Sequence, residues 1–327
     1  MKKLCWGLGI AAALFFALAS FATPAAAQFS KLPGYVQEEL KAIGPGFQKD
    51  IRTTIPATSR LFEPLLKAAP KDGVIVTKNV SYGSDAQQVI DIYQPVELKN
   101  APILIFMHGG AYVAGAKDSG EVSGNIGYWF ARQGMLAFNI EYRLAPASHW
   151  PGAFEDLSSV IQWVKAHAAQ YGGDPGRIWL MGHSAGATHV VATYIFDKAL
   201  QPRDGPGVLG AILVSGRYRL EYDPKDPNGK NMQAYFGTDP KLYADRSAIN
   251  HINDGVKLPV FLAVTEYDNP GLDVSGAEML AALCKRDGAC PRFIRQEYHN
   301  HISEMAAFNT QDELLGRQIL DFMKRGR

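Results

Sequence analysis

The chain has 327 residues, 47 % of them hydrophobic, and its 33 basic residues nearly balance 32 acidic ones. That length suits one large α/β domain or two small ones, and the apolar share is enough to fill a sizeable core. A near-neutral balance gives no reason to expect nucleic acid or an anionic membrane as a partner.

Residues 1–27, MKKLCWGLGIAAALFFALASFATPAAA, read as a signal peptide. Lys2 and Lys3 form a basic start, a short apolar run follows, and Ala25, Ala26 and Ala27 supply the small residues a signal peptidase needs. The apolar stretch is short for a spanning helix, and Thr23–Pro24 interrupts it. Cleavage after Ala27 then exports the protein to a bacterial periplasm or the medium and leaves no stable membrane anchor. Losing Lys2 and Lys3 from the 33 basic residues leaves 31 against 32 acidic ones, a formal charge of −1. Only Cys284 and Cys290 remain, in LCKRDGACPRF. Export permits a disulfide between them, contributing about 2 kcal/mol for so short a loop. The alternative is two unpaired thiols on either side of a turn. Two cysteines without nearby histidines fall short of a zinc set, so no metal is expected.

Residues 28–72 are punctuated by prolines and glycines around helix-like pieces at 35–43 and 59–69, and read as a helical arm packed on the main domain. From residue 73 to 327 the pattern changes to that of a single main α/β domain. Stretches 74–82 and 87–95 alternate apolar and polar residues across a short turn, predicting an antiparallel strand pair. Residues 101–110, APILIFMHGG, form a continuous apolar run ending in glycines, as a strand buried on both faces does. Strand and helix then alternate: helix at 124–134, strand at 135–143, helix at 151–172, strand at 177–182, helix at 184–200 and strand at 208–216. After residues 217–253, rich in proline and tyrosine and read as a cap-like excursion over one edge of the sheet, come strand 258–266, helix 274–288, strand 291–299 and a closing helix from 312. The alternation predicts a mostly parallel, doubly wound α/β sheet.

Within RIWLMGHSAGA the serine at 184 sits in a G-x-S-x-G pattern between a predicted strand and a predicted helix. A sharp strand-to-helix turn exposes such a side chain, and the helix amino end favours developing negative charge. A nucleophilic serine needs a base. His301, in EYHNHISEM after the last strand, is preferred, with its neighbour His299 as the fallback. An orienting carboxylate comes from VFLAVTEYD, where Asp268 in the turn past the strand is preferred to Glu266. The amides of Gly110 and Ala111, at the end of the buried run 101–110, and of Ala185 are assigned to an oxyanion hole, with His108 bracing that loop.

With these residues in view, the chain resembles the α/β-hydrolase esterases and lipases related to hormone-sensitive lipase. The resemblance rests on HGGAY (108–112), EYRLAP (141–146), WPGAFEDL (150–157), GGDPGRIWLMGHSAGA (172–187), LPVFLAVTEYD (258–268) and HNHISE (299–304). It implies an eight-stranded sheet, a serine nucleophile and ester hydrolysis without a cofactor, and it makes Asp156 and Asp174 structural. Ala111 stands where many relatives have a third glycine, and Asn269 follows the aspartate where relatives often have proline.

The expectation is an exported serine carboxylesterase acting through an acyl-enzyme on a small-molecule ester, short-to-medium or aromatic. An amidase or peptidase, or an aryl-formamide hydrolase, would use the same triad. A ligand-binding protein on an inactivated hydrolase scaffold is the alternative of another class. Tyr35, Phe47, Phe62, Tyr218, Tyr222, Tyr235 and Phe236 are read either as a cap lining or as core for the arm and excursion. Oligomeric state is not readable from the sequence.

Overall fold

A computed structural model describes residue 29 and residues 31–254 and 257–326. The leader read over residues 1–27 lies outside the described residues. Eight strands form one sheet: β1 (Val74–Ser81), β2 (Val89–Pro95), β3 (Ala101–Met107), β4 (Leu136–Ile140), β5 (Gly173–His183), β6 (Gly210–Val214), β7 (Val260–Tyr267) and β8 (Arg292–Asn300). Their spatial order is β1-β2-β4-β3-β5-β6-β7-β8. β2 runs antiparallel to both β1 and β4, and every pairing from β4 to β8 is parallel.

The unbroken apolar runs become central strands because helices cover both faces of the sheet. In β3, Ile103, Ile105 and Met107 join one core while Leu104 and Phe106 join the other, as the two-residue side-chain period requires. Helices α4 (Gly152–His167) and α5 (Ser184–Phe196) pack on the first face. Helices α3 (Val122–Arg132) and α9 (Leu314–Arg325) pack on the second. Helix α7 (Leu272–Asp287) crosses from β7 to β8, and a disulfide joins Cys284 near its end to Cys290.

Before the sheet come α1 (Gly34–Ile43) and α2 (Ile51–Ala68), the latter capped by the Asp50 carboxylate, which accepts from the amides of Arg52 and Thr53. Val36, Leu40, Phe62 and Leu66 form a third core with Ala306 and Ala307, at the short helix α8 (Ser303–Ala306). The arm therefore rests on the segment that follows His301. Burying Phe62 alone contributes about 2 kcal/mol to that contact. The 217–253 segment carries helix α6 (Gly229–Phe236). Trp150 donates its amide to the Tyr235 carbonyl at 3.0 Å, tying α6 to the start of α4.

Candidate active site

β5 ends at His183, and α5 begins with no linker. Ser184 turns that corner with φ of 71°, a left-handed value that costs a non-glycine residue about 1 kcal/mol or more. Gly182 makes the corner feasible, since a Cβ there would sit 2.9 Å from the Ala187 carbonyl oxygen. The strained corner lifts the serine hydroxyl from the carboxyl end of the sheet.

His301 and Asp268 reach the same end from β8 and β7. Nε2 of His301 lies 2.9 Å from Ser184 Oγ, and its Nδ1 lies 2.7 Å from Asp268 Oδ1. A carboxylate only accepts, so the ring proton belongs on Nδ1, and the Nε2 lone pair faces the serine hydroxyl. Asp268 is fully buried, and its other oxygen accepts from the Ser215 hydroxyl at 2.7 Å and the Thr265 amide at 3.3 Å. Burial is the largest influence on this carboxyl and favours the neutral acid. The hydrogen bonds from His301, Ser215 and Thr265 outweigh it and hold the pKa below the ordinary 3.8.

The third component is the loop after β3. Gly110 has φ of 135°, and Ala111 and Tyr112 follow in the left-handed region at 51° and 71°. His108 braces this loop, its Nδ1 2.7 Å from the Gly109 carbonyl and its Nε2 3.0 Å from Glu141. Gly110 and Ala111 border the same cavity as Ser184 and His301, with Ala185 next in the first turn of α5. That arrangement can place amide donors around an oxygen bonded to a carbon at Ser184 Oγ.

The chain is similar to several known proteins. The BD-FAE family matches residues 90–198. Esterase LipC of Mycobacterium tuberculosis is 33 % identical over 233 residues, covering 66 % of this chain and 56 % of that one. A probable isoprenylcysteine alpha-carbonyl methylesterase of Arabidopsis thaliana is 31 % identical over 58 % of this chain and 36 % of its own length. Among solved structures, a bacterial heroin esterase superposes with a TM-score of 0.68 at 20 % identity, covering 91 % of this chain and 98 % of that one. An esterase of Pyrobaculum calidifontis gives 0.67 at 20 % identity over 90 % and 98 %. The chain has the α/β-hydrolase fold. It spans from about a third to three fifths of the length of the first curated relatives it matches.

The other sequence candidates do different work. His299 binds Asp312 at 2.9 Å and Ser303 at 3.0 Å, away from the serine. Glu266 accepts from the Tyr298 amide. Asp156 accepts from the Arg143 amide and guanidinium, and Asp174 from the Gly176 amide, so both hold loops. His189 is buried, its two ring nitrogens facing the Arg217 and Arg246 carbonyls beneath the 217–253 segment.

Sequence reasoning missed a second buried carboxyl. Glu304 is fully buried, 3.2 Å from His183 Nε2 and 3.8 Å from His301 Nδ1. Burial, and then the negative charge of Asp268, push its pKa well above the ordinary 4.5. Burial likewise lowers His183 to about 4. The His183–Glu304 contact is thus a hydrogen bond between neutral partners, and Nε2–H of His183 also reaches the His301 carbonyl at 3.0 Å. His183, His301 and Glu304 bring ligand-type atoms within 4.8 Å of one another. Both nitrogens of His301 are committed to Ser184 and Asp268, so the trio does not present a free donor set for a metal. Nothing in the spacing of HISE distinguished Glu304 from a surface acid on a helix.

The cavity above Ser184 has a volume of about 490 Å³. Ile51, Ile55 and Ser59 of α2 form one wall, four residues apart on one helical stripe, and Val122, Ile126 and Met305 add apolar surface. None of the seven aromatic residues offered as a cap lining borders it. Phe47, Phe62, Tyr218, Tyr235 and Phe236 are buried as core, while Tyr35 and Tyr222 are exposed. Phe106 also lines the cavity, while most rings of the arm and of α6 are consumed in packing onto the sheet.

Proposed function

We propose that the chain is a serine carboxylic-ester hydrolase that works through an acyl-enzyme. The observation that carries this is the continuous hydrogen-bonded line from Ser184 Oγ through His301 to Asp268. Ser184 Oγ attacks the ester carbonyl carbon while its proton passes to His301 Nε2. The carbonyl oxygen becomes an oxyanion beside the amides of Gly110, Ala111 and Ala185. The tetrahedral adduct collapses, the alkoxide leaves with the proton from Nε2, and the acyl group stays on Oγ. Water then repeats the sequence, giving its proton to Nε2, and the carboxylic acid is released. Asp268 stays ionised and holds Nδ1–H throughout. The esterase names of the relatives support the reaction class, and the largely apolar lining supports short-to-medium or aromatic acyl groups.

The same reading places the protein outside the cytoplasm. Support comes from the basic start, apolar run and Ala25–Ala27 of the leader, and from the Cys284–Cys290 disulfide, which suits an oxidising compartment. Amino-terminal sequencing of exported protein is expected to begin at Gln28. The decisive experiment for the chemistry is Ser184→Ala assayed on a short aryl ester. Turnover is expected to vanish, with a near-native Tm. Retained turnover means that the hydroxyl is not the nucleophile.

A further inference from the structure

The proposed mechanism leaves a buried carboxyl beside His301 idle. Glu304 sits in α8, and its Oε1 lies 3.8 Å from His301 Nδ1, against 2.7 Å for Asp268 Oδ1. The groups that face it come from several strand ends. His183 Nε2, at the end of β5, and Gln296 Nε2, on β8, each approach its oxygens to 3.2 Å. The Ser215 hydroxyl, just past β6, is within hydrogen-bond reach of Glu304 and also donates to Asp268 Oδ2 at 2.7 Å. Asp268, His301 and His299 are near enough to act on it by charge.

Two fully buried carboxyls thus border one ring nitrogen and share one hydroxyl. Like charges so placed do not ionise together, so the pair keeps one negative charge and one proton. Hydrogen bonding decides where the charge rests. Asp268 accepts from four donors: His301 Nδ1, the Ser215 hydroxyl and the amides of Thr265 and Asn269. Glu304 accepts from the side chains of His183 and Gln296, and its own proton can go to Ser215 Oγ.

We infer that Glu304 is a second positioning acid for His301: it stays neutral while Asp268 holds Nδ1–H, and becomes the charged partner of that N–H when Asp268 is removed. The inference rests on the serine-ester reading and adds a residue to its machinery. No further proton transfer is involved. Nδ1 keeps its hydrogen, and Nε2 exchanges a proton with Ser184, the leaving alkoxide and water as before. Only the carboxylate facing the imidazolium changes. Bringing Glu304 Oε1 from 3.8 Å to hydrogen-bond distance takes a shift of about 1 Å, into the space that Asp268→Ala opens.

The test is a double-mutant cycle on the full chain, reading kcat on a short aryl ester at about pH 8. It comprises wild type, Asp268→Ala, Glu304→Gln and the double variant, and is repeated with Asp268→Asn, which keeps the carboxyl's shape if the alanine variant folds poorly. Adding Glu304→Gln to an Asp268 variant is expected to lower kcat at least about tenfold more than adding it to wild type. The acidic limb of the pH–kcat profile of that Asp268 variant should also move when Glu304→Gln is added, because glutamine cannot ionise; a packing role would leave the limb in place. Equal factors in the two backgrounds, or an unmoved acidic limb, overturn the inference and leave Asp268 as the sole acid. Neither result bears on the nucleophile: turnover that persists in Ser184→Ala strikes the esterase reading instead.

Discussion

Asn300 Nδ2 donates to Thr58 Oγ1 at 3.0 Å, joining the arm to the residue just before His301. Both partners are fully buried. The Asn300 oxygen accepts the amides of Ile302 at 3.0 Å and Ser303 at 2.9 Å, which fixes the carboxamide's orientation and the turn bearing the imidazole. Thr58 gives its own proton to the Thr54 carbonyl, leaving a lone pair for Asn300. A second tie runs from Gln48 Nε2 to the Asp268 carbonyl at 3.0 Å. The arm therefore holds both loops that bring His301 and Asp268 to Ser184. Thr58→Val keeps the volume and removes the acceptor. We expect kcat to fall about tenfold with KM little changed, because small misplacements of a base are costly. Thr58→Ser should recover most of the rate. Val36→Ala, which loosens the same arm without touching either tie, should lower Tm but not kcat. Equal losses in both variants would reduce Thr58 to a packing residue.

Glu304 predicts a pH dependence of stability. Its folded pKa is raised above the unfolded 4.5, by burial first and by Asp268 second. Below about pH 4.5 folded and unfolded chains both carry the proton, and the group contributes no slope. Above that value the unfolded chain releases a proton that the folded chain retains, so stability falls as pH rises toward the folded pKa. Glu304→Gln keeps the shape and cannot ionise. The Tm of the variant should match wild type near pH 4 and exceed it increasingly toward pH 8. Parallel Tm curves across that range would show that Glu304 is ionised in the fold.

The parts of the site that the sequence exposes are those carried by local pattern. The strand-to-helix corner at Ser184, the glycines after β3 and the turn after β7 each sit at the end of an apolar run, so alternation alone puts them at one rim of the sheet. Ser215, Glu304, Thr58 and Asn300 were not legible, because their roles arise from contacts between distant segments; Thr58 and Asn300 are 242 positions apart. The aromatic residues of the arm and excursion read equally as lining or core. Tertiary packing decided the matter, stacking Tyr112 on Tyr235 with ring centres 5.3 Å apart and leaving isoleucines for the cavity.

The disulfide should act on stability alone. Cys284 and Cys290 close a loop of six positions between α7 and β8, and neither borders the cavity. Constraining so short a loop contributes about 2 kcal/mol. Cys284→Ser with Cys290→Ser should lower Tm by several degrees and leave kcat/KM on an aryl ester unchanged. A matching loss of kcat/KM at a temperature well below Tm would tie the bridge to the position of β8 and His301.

Under the proposed ester hydrolysis, Gly110 separates the oxyanion contribution from that of the triad. Its φ of 135° is open to glycine and strained for any other residue. A Cβ there would also collide with the Ala114 carbonyl, whose amide bonds back to the Gly110 carbonyl at 3.0 Å. Gly110→Ala must rotate the loop, carrying the 110 and 111 amides away from the position above Ser184 Oγ. The triad is untouched, since none of its hydrogen bonds runs through this loop. Donors aimed at an oxyanion act mainly in the transition state, and losing one costs about 3 kcal/mol. The expected result is a fall in kcat of about a hundredfold or more, with KM changing far less and the circular dichroism spectrum preserved. A change confined to KM would mean that the loop binds substrate and that the developing charge is held elsewhere.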